Sequence, residues 1–258
     1  MKVKYRYNIV DVDKSQICFD HKVNCCDCTY ATNVEPSAIC FTSPPYNVGN
    51  NALGGNKNKV DSKYEEYNDD KTQNEWLNLV YESIKAIQPY SKYQIYNIQQ
   101  LAGNKIAFID LLTKMRNNFV DKMVWYKGEG CPAMAENVLN SRFEDILIFA
   151  TENNPNRAIK TGNFRGTVSN VFQQTSSRNK EFAEHHAATF PVELPAHIIN
   201  SFTKEDDWVI DNFLGSGTTL IACDKLNRHC YGIELTPSYC ELAIQRYERL
   251  TNRKRFKL

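Results

Sequence analysis

Asp211-Asn212-Phe213-Leu214-Gly215-Ser216-Gly217-Thr218-Thr219 is the stretch on which the fold turns. The apolar run Trp208 to Phe213 reads as a strand, and Thr218 to Leu226 reads as a helix. Two glycines between them allow a sharp turn and a close backbone approach to a ligand. A second strand, Cys230 to Glu234, ends in an acid 17 residues after Gly217. An acid there can accept hydrogen bonds from both hydroxyls of an adenosine ribose. Leu220 stands where a dinucleotide fingerprint has its third glycine, and no Gly-Lys-Ser/Thr follows, which disfavours NAD and ATP. The plain alternative is a tight strand–helix turn with an incidental acid.

Working outward, a helix is expected at Pro237 to Arg249 and another at about Val192 to Phe202. Upstream, Lys22 to Cys28, Ser37 to Phe41, Tyr93 to Ile98, Phe119 to Trp125 and Asp145 to Ala150 read as strands. Helices are expected at Asn74 to Ile87, stopped by Pro89, and at Lys105 to Met115. This alternation predicts an α/β fold with a doubly wound, mainly parallel sheet. Periodicity fails between Thr151 and His185, which predicts an insertion at 151–185 between halves at 1–150 and 186–258. The Asn/Gly/Lys-rich stretch Asn50 to Lys59 predicts a loop.

The 258 residues, 42% hydrophobic and 24% charged, suffice for one sizeable core. No uncharged apolar run nears the roughly 18 residues of a membrane helix, and the amino-terminal residues lack the apolar stretch of a secretory signal. Nine irregularly spaced cysteines then read as reduced thiols of a cytoplasmic protein. A membrane protein, a collagenous chain and a secreted mini-protein are excluded. Cys25-x-x-Cys28 lacks a second ligand pair, so no metal is expected. Net charge is +1, but Arg157, Lys160, Arg165, Arg178 and Lys180 lie in a stretch without acids. The tail after Ile244 is also basic. Either stretch reads as a solvated face or a polyanion contact.

Thr42-Ser43-Pro44-Pro45-Tyr46 directly follows a buried-looking strand. The prolines remove two backbone donors and leave carbonyls to accept from a substrate. A hydroxyl and an aromatic plane beside them suit a flat group bearing an NH2. In a doubly wound sheet, this turn and the glycine turn both lie at the carboxyl ends of strands, where ligands bind.

These two motifs together resemble the amino-group DNA methyltransferases that use S-adenosylmethionine. Ser43, Pro44, Pro45 and Tyr46 match the family's catalytic motif. Asp211, Phe213, Gly215, Gly217 and Thr218 match its cofactor motif. The catalytic motif precedes the cofactor motif, the circularly permuted order of the class called beta. Cys26-Asp27-Cys28 is similar to a Gly-Asp-Cys element whose acid lies near the cofactor adenine. His186-Ala-Ala-Thr189-Phe190-Pro191 is similar to an element beside the methionine end. Cys26 and Ala187 depart from the usual Gly and Pro.

The resemblance implies a Rossmann-like methyltransferase sheet with 151–185 as target-recognition insertion. It implies S-adenosylmethionine as cofactor, held by Asp27, Thr189, Phe190, Asp211, Phe213, Gly215, Gly217, Thr218 and Glu234, and double-stranded DNA as partner. A restriction–modification setting with a cognate endonuclease is open, as is the oligomeric state. The reaction expected is in-line attack of an exocyclic amino nitrogen of a flipped base on the sulfonium methyl, with Tyr46 stacking on the base. Ser43 leans towards cytosine N4 over adenine N6. An RNA or protein N-methyltransferase, a catalytically dead DNA-binding module and a nicotinamide oxidoreductase are the rivals. Cytosine C5 chemistry needs a Cys after Pro, and the chain has no Pro-Cys pair; Glu136-Asn137-Val138, which matches a motif of those enzymes, is coincidental.

Overall fold

Residues 37–42 show how the chain fills two cores from one sheet: Ile39 and Phe41 pack into one core and Cys40 into the other, as alternating strand side chains must. The computed structural model describes residues 5–9, 21–29, 34–48, 69–128, 136–153, 156–162, 164–175, 190–251 and 255–257. Their elements in chain order are β1 (Tyr5–Ile9), β2 (His21–Cys25), β3 (Ser37–Thr42), α1 (Gln73–Ile87), β4 (Ser91–Ile98) and α2 (Lys105–Lys114). Then follow β5 (Phe119–Tyr126), β6 (Phe143–Ala150), β7 (Val171–Gln173), α3 (Glu193–Phe202), β8 (Trp208–Asp211), α4 (Thr218–Lys225), β9 (His229–Glu234), α5 (Pro237–Thr251) and β10 (Arg255–Lys257).

One ten-stranded sheet runs in the order β10-β1-β2-β9-β8-β3-β4-β6-β5-β7. Its centre, β2-β9-β8-β3-β4, is a parallel block. β6 is antiparallel to both its neighbours, β4 and β5. From β3 the chain crosses through α1 to β4 on one side, and from β8 it crosses through α4 to β9 on the other. β3 and β8 are neighbours, so the gap between them is the switch point of a doubly wound sheet.

Opposite crossovers place helices on opposite faces. α1 and α2 cover one face through Trp76, Val80, Ile84, Ile87, Phe108 and Leu111. α3, α4 and α5 cover the other through Ile198, Phe202, Leu220, Ala243, Ile244 and Tyr247. Full burial of each such large side chain contributes roughly 1.5–3 kcal/mol. α1 starts at a capping box in which Thr72 and Glu75 satisfy each other's backbone N–H groups. No helix among the described residues is long and apolar enough to cross a membrane.

Three expectations need correction. β2 stops at Cys25, with a last bond from Cys26 N–H to the Glu234 carbonyl, so Asp27 and Cys28 lie past the strand. Three short strands were not foreseen: β1, β7 and β10. The tail after Ile244 is not wholly a solvated face, since its tip pairs with β1 and Arg246 is only 5% exposed. The segment from Thr151 is bound to the sheet, with Ile159, Phe164, Val168 and Phe172 packed against the α3–α5 core.

Candidate active site

A single hydroxyl joins the two motifs. Thr42 Oγ1, at the end of β3, donates to Asp211 Oδ1, at the end of β8, at 2.6 Å. Phe213 N–H donates to both oxygens, at 3.1 Å each. Residues 169 apart in sequence thus meet at the switch point. Asp211 is 2% exposed. Burial pushes its carboxyl up to about 6, and the Thr42 and Phe213 bonds hold it from rising further.

Beyond Thr42 the chain turns through Ser43-Pro44-Pro45-Tyr46, held from several sides. Trp76 Nε1 of α1 donates to the Pro45 carbonyl at 2.6 Å, which leaves that oxygen one lone pair for a substrate. Asn104 Nδ2 donates to the Tyr46 carbonyl at 2.9 Å. Asn47 adopts a left-handed φ of 58°. Its amide side chain bonds the Lys71 and Gly103 carbonyls and accepts from Lys71 N–H. A Cβ at Gly103 would stand 2.0 Å from the Asn47 carbonyl oxygen, so only glycine allows this approach.

The Tyr46 hydroxyl enters a buried polar cluster. It donates to Glu144 Oε2 at 2.7 Å, accepts from Asn97 Nδ2 at 2.7 Å and lies 2.7 Å from Ser43 Oγ. Ser43 Oγ also reaches the Asn97 carbonyl at 3.2 Å. Glu144 Oε2 takes a second bond from Asn97 Nδ2 at 2.6 Å, while Oε1 pairs with Lys127 Nζ at 3.1 Å. Glu144 and Lys127 side chains are 8% and 12% exposed, so this ion pair is largely dry. Sequence reading missed Asn97 and Glu144. Their signal was a polar side chain in a strand that is mostly buried, where burial is unfavourable without hydrogen-bond partners.

The glycine turn is clamped from behind. Gly215 and Gly217 have φ of 51° and 77°. A Cβ at Gly217 would come within 2.9 Å of Ala243 Cβ. Arg246 Nη1 of α5 donates to the Ser216 carbonyl at 3.1 Å and to Thr218 Oγ1 at 3.0 Å. Glu234 accepts from Gly215 N–H through Oε2 at 2.8 Å and from Thr236 N–H through Oε1 at 2.9 Å. Its carboxyl is raised by burial, against those two bonds. Each oxygen keeps a lone pair, so ribose hydroxyls could be bound only alongside the backbone bonds.

The family described as DNA methylase, N6 and N4, matches residues 38–245 of this chain. The chain belongs to that family. Among curated relatives, it is 42% identical to the type II methyltransferase M.Cfr9I of Citrobacter freundii over 34% of this chain. That match spans only 28% of the relative's length. The chain is 26% identical to the type II methyltransferase M.HpaI of Haemophilus parainfluenzae, over 84% of this chain and 70% of that one. The solved structure of PvuII DNA methyltransferase (cytosine-N4-specific) shares the fold with a TM-score of 0.61 at 18% identity, covering 83% and 81% of the two chains.

The other residues expected to serve this methylase fold are less uniformly placed. Asp27 is half-buried and bonds Thr29 N–H and hydroxyl. Phe190 packs edge-on against Phe41, centroids 5.9 Å apart, near the end of β3. Arg157 is held by Asp121 at 2.8 Å, and Lys160 N–H bonds the Tyr93 hydroxyl. Asp121 and Tyr93 belong to the starts of β5 and β4, so these two basic residues stand at the rim opposite Ser43. Arg165 is exposed. From there the segment crosses to β7, and just past that strand the Gln174 carbonyl accepts from Trp125 Nε1 on the Ser43 side. Trp125 itself is a core residue. Thr189, Arg178, Lys180, His186 and the 50–59 loop lie outside the described residues.

Proposed function

We propose that this chain moves the methyl group of S-adenosylmethionine onto the exocyclic amino group of a base flipped out of double-stranded DNA, with cytosine N4 preferred over adenine N6. The observation that carries this reading is the Thr42–Asp211 bond, which sets the proline turn beside the glycine turn at the switch point. The glycine turn, Glu234 and Phe190 suit the cofactor's ribose and methionine ends. Sulfonium activation comes from the cofactor itself.

The protein's part is to aim the nitrogen. Ser43 Oγ and the Pro44 carbonyl accept its two hydrogens, which favours a pyramidal nitrogen with its lone pair towards the methyl. Positioning of this kind can supply roughly 7–11 kcal/mol. Flipping costs a few kcal/mol and stacking on Tyr46 returns about 1–3 kcal/mol, so DNA contacts elsewhere supply the rest. We assign them to 151–185, chiefly to the part beyond Arg165 that returns to the Ser43 rim. A neutral hydroxyl at Ser43 and the cytosine-N4-specific name of the PvuII relative support cytosine. The type II names of the relatives support a cognate endonuclease as the enzyme's partner in the cell.

DNA from cells expressing the protein, digested to nucleosides and analysed by mass spectrometry, tests this directly. N4-methylcytosine is the expected product. N6-methyladenine corrects the base, and no modified nucleoside overturns the reading.

A further inference from the structure

When the amino nitrogen attacks, the sulfonium loses its positive charge and the nitrogen gains it. The N–C bond forms, the C–S bond breaks, and one N–H proton must then leave. Ser43 Oγ can receive that proton only by passing on its own. The hydroxyl nearest to it is that of Tyr46, at 2.7 Å, and Tyr46 in turn donates to Glu144 Oε2 at 2.7 Å. A single line of hydrogen bonds therefore runs from the candidate substrate contact to a carboxylate on another strand.

We propose that Glu144 is the terminal acceptor of the proton released by methyl transfer. The inference rests on the methyltransferase reading above. The substrate N–H proton goes to Ser43 Oγ, the Ser43 proton to Tyr46 Oη, and the Tyr46 proton to Glu144 Oε2. The net change is one neutral carboxylic acid in place of the carboxylate, and solvent removes its proton after the product leaves. Charge within the site is conserved, since the sulfonium's positive charge ends by neutralising Glu144. Asn97 Nδ2, bonded to both Tyr46 Oη and Glu144 Oε2, holds the line in register. Lys127, on Oε1, leaves Oε2 to do the accepting. Glu144 acts on the substrate through Tyr46 and is a positioning and relay residue.

Single-turnover methyl transfer by the full chain tests the relay on Glu144→Gln, Tyr46→Phe and the double variant, with cofactor and DNA affinities measured in parallel. Tyr46→Phe keeps the stacking ring and removes only the hydroxyl, so the test survives even if Glu144→Gln folds poorly. General acid–base steps are worth about 10²–10⁴-fold. Each single variant is expected to lose on the order of 10²-fold in rate, with unchanged affinities. The double variant is expected to be no slower than the slower single one. A Tyr46→Phe rate within about threefold of the native rate, or losses that multiply in the double variant, would overturn the relay. Native protein that transfers no methyl group at all would instead overturn the function on which it rests.

Discussion

Asp211 carries opposite demands. Its oxygen is the junction of the two motifs, yet its burial favours the protonated form. With the folded value near 6 against an ordinary 3.8, the folded state binds this proton more tightly than the unfolded chain. The associated stability is therefore present in full below about pH 4 and is lost as pH rises through about 6. That difference in proton affinity corresponds to roughly 3 kcal/mol. Asp211→Asn should remove the slope: its stability relative to the native protein should rise by up to about this amount between pH 4 and pH 7, measured by urea unfolding. A constant difference across that range would show that Asp211 does not titrate there. Thr42→Val keeps the shape and loses the hydroxyl. It should cost about 1.5–3 kcal/mol, seen as a lower urea midpoint at unchanged slope. At this scale Ser43, Tyr46, Gly215 and Glu234 were legible in the sequence because their spacing is local. Asn97, Glu144 and Arg246 were not. Asn97 and Glu144 meet only through the antiparallel pairing of β4 with β6, and Arg246 looks like one more surface charge until α5 packs behind the glycine turn.

The elements hold the two turns by different means, so they can be perturbed separately. Gly103 lies before α2 and abuts Asn47, directly after the proline turn. Gly103→Ala must displace Asn47, and a shift near 1 Å at a reacting centre costs about 10²-fold. Methyl transfer should fall by roughly that factor while cofactor affinity stays within about threefold. Equal losses in both would place Gly103 in general folding instead. Gly217→Ala imposes a left-handed φ costing about 1–2 kcal/mol, besides the Ala243 contact. There the cofactor affinity should weaken most, on the order of tenfold or more by calorimetric titration. Helices and central strands were readable from apolar period because they line two buried cores. β1, β7 and β10 were not, since strands of five and three residues carry too little pattern, and pairing alone reveals them.

For the molecule as a whole, sequence preference is expected to reside in the segment that runs from the far rim, past Arg157 and Lys160, to β7 beside Trp125. Exchanging residues 151–185 for those of a relative should change the sequence methylated and leave cofactor binding intact. An unchanged preference would move target recognition elsewhere. A different consequence follows from the outer edge of the sheet, where β1 and β10 pair antiparallel with Tyr7 opposite Lys257. The first and last described strands are next-door neighbours, so a peptide of a few residues could join the end of β10 to the start of β1. New ends cut within 151–185 would then put the glycine-bearing half ahead of the proline-bearing half while every strand kept its seat. Such a rewired polypeptide should recover native circular dichroism and bind S-adenosylmethionine, and a failure to do either would show that the edge pairing does not survive ligation.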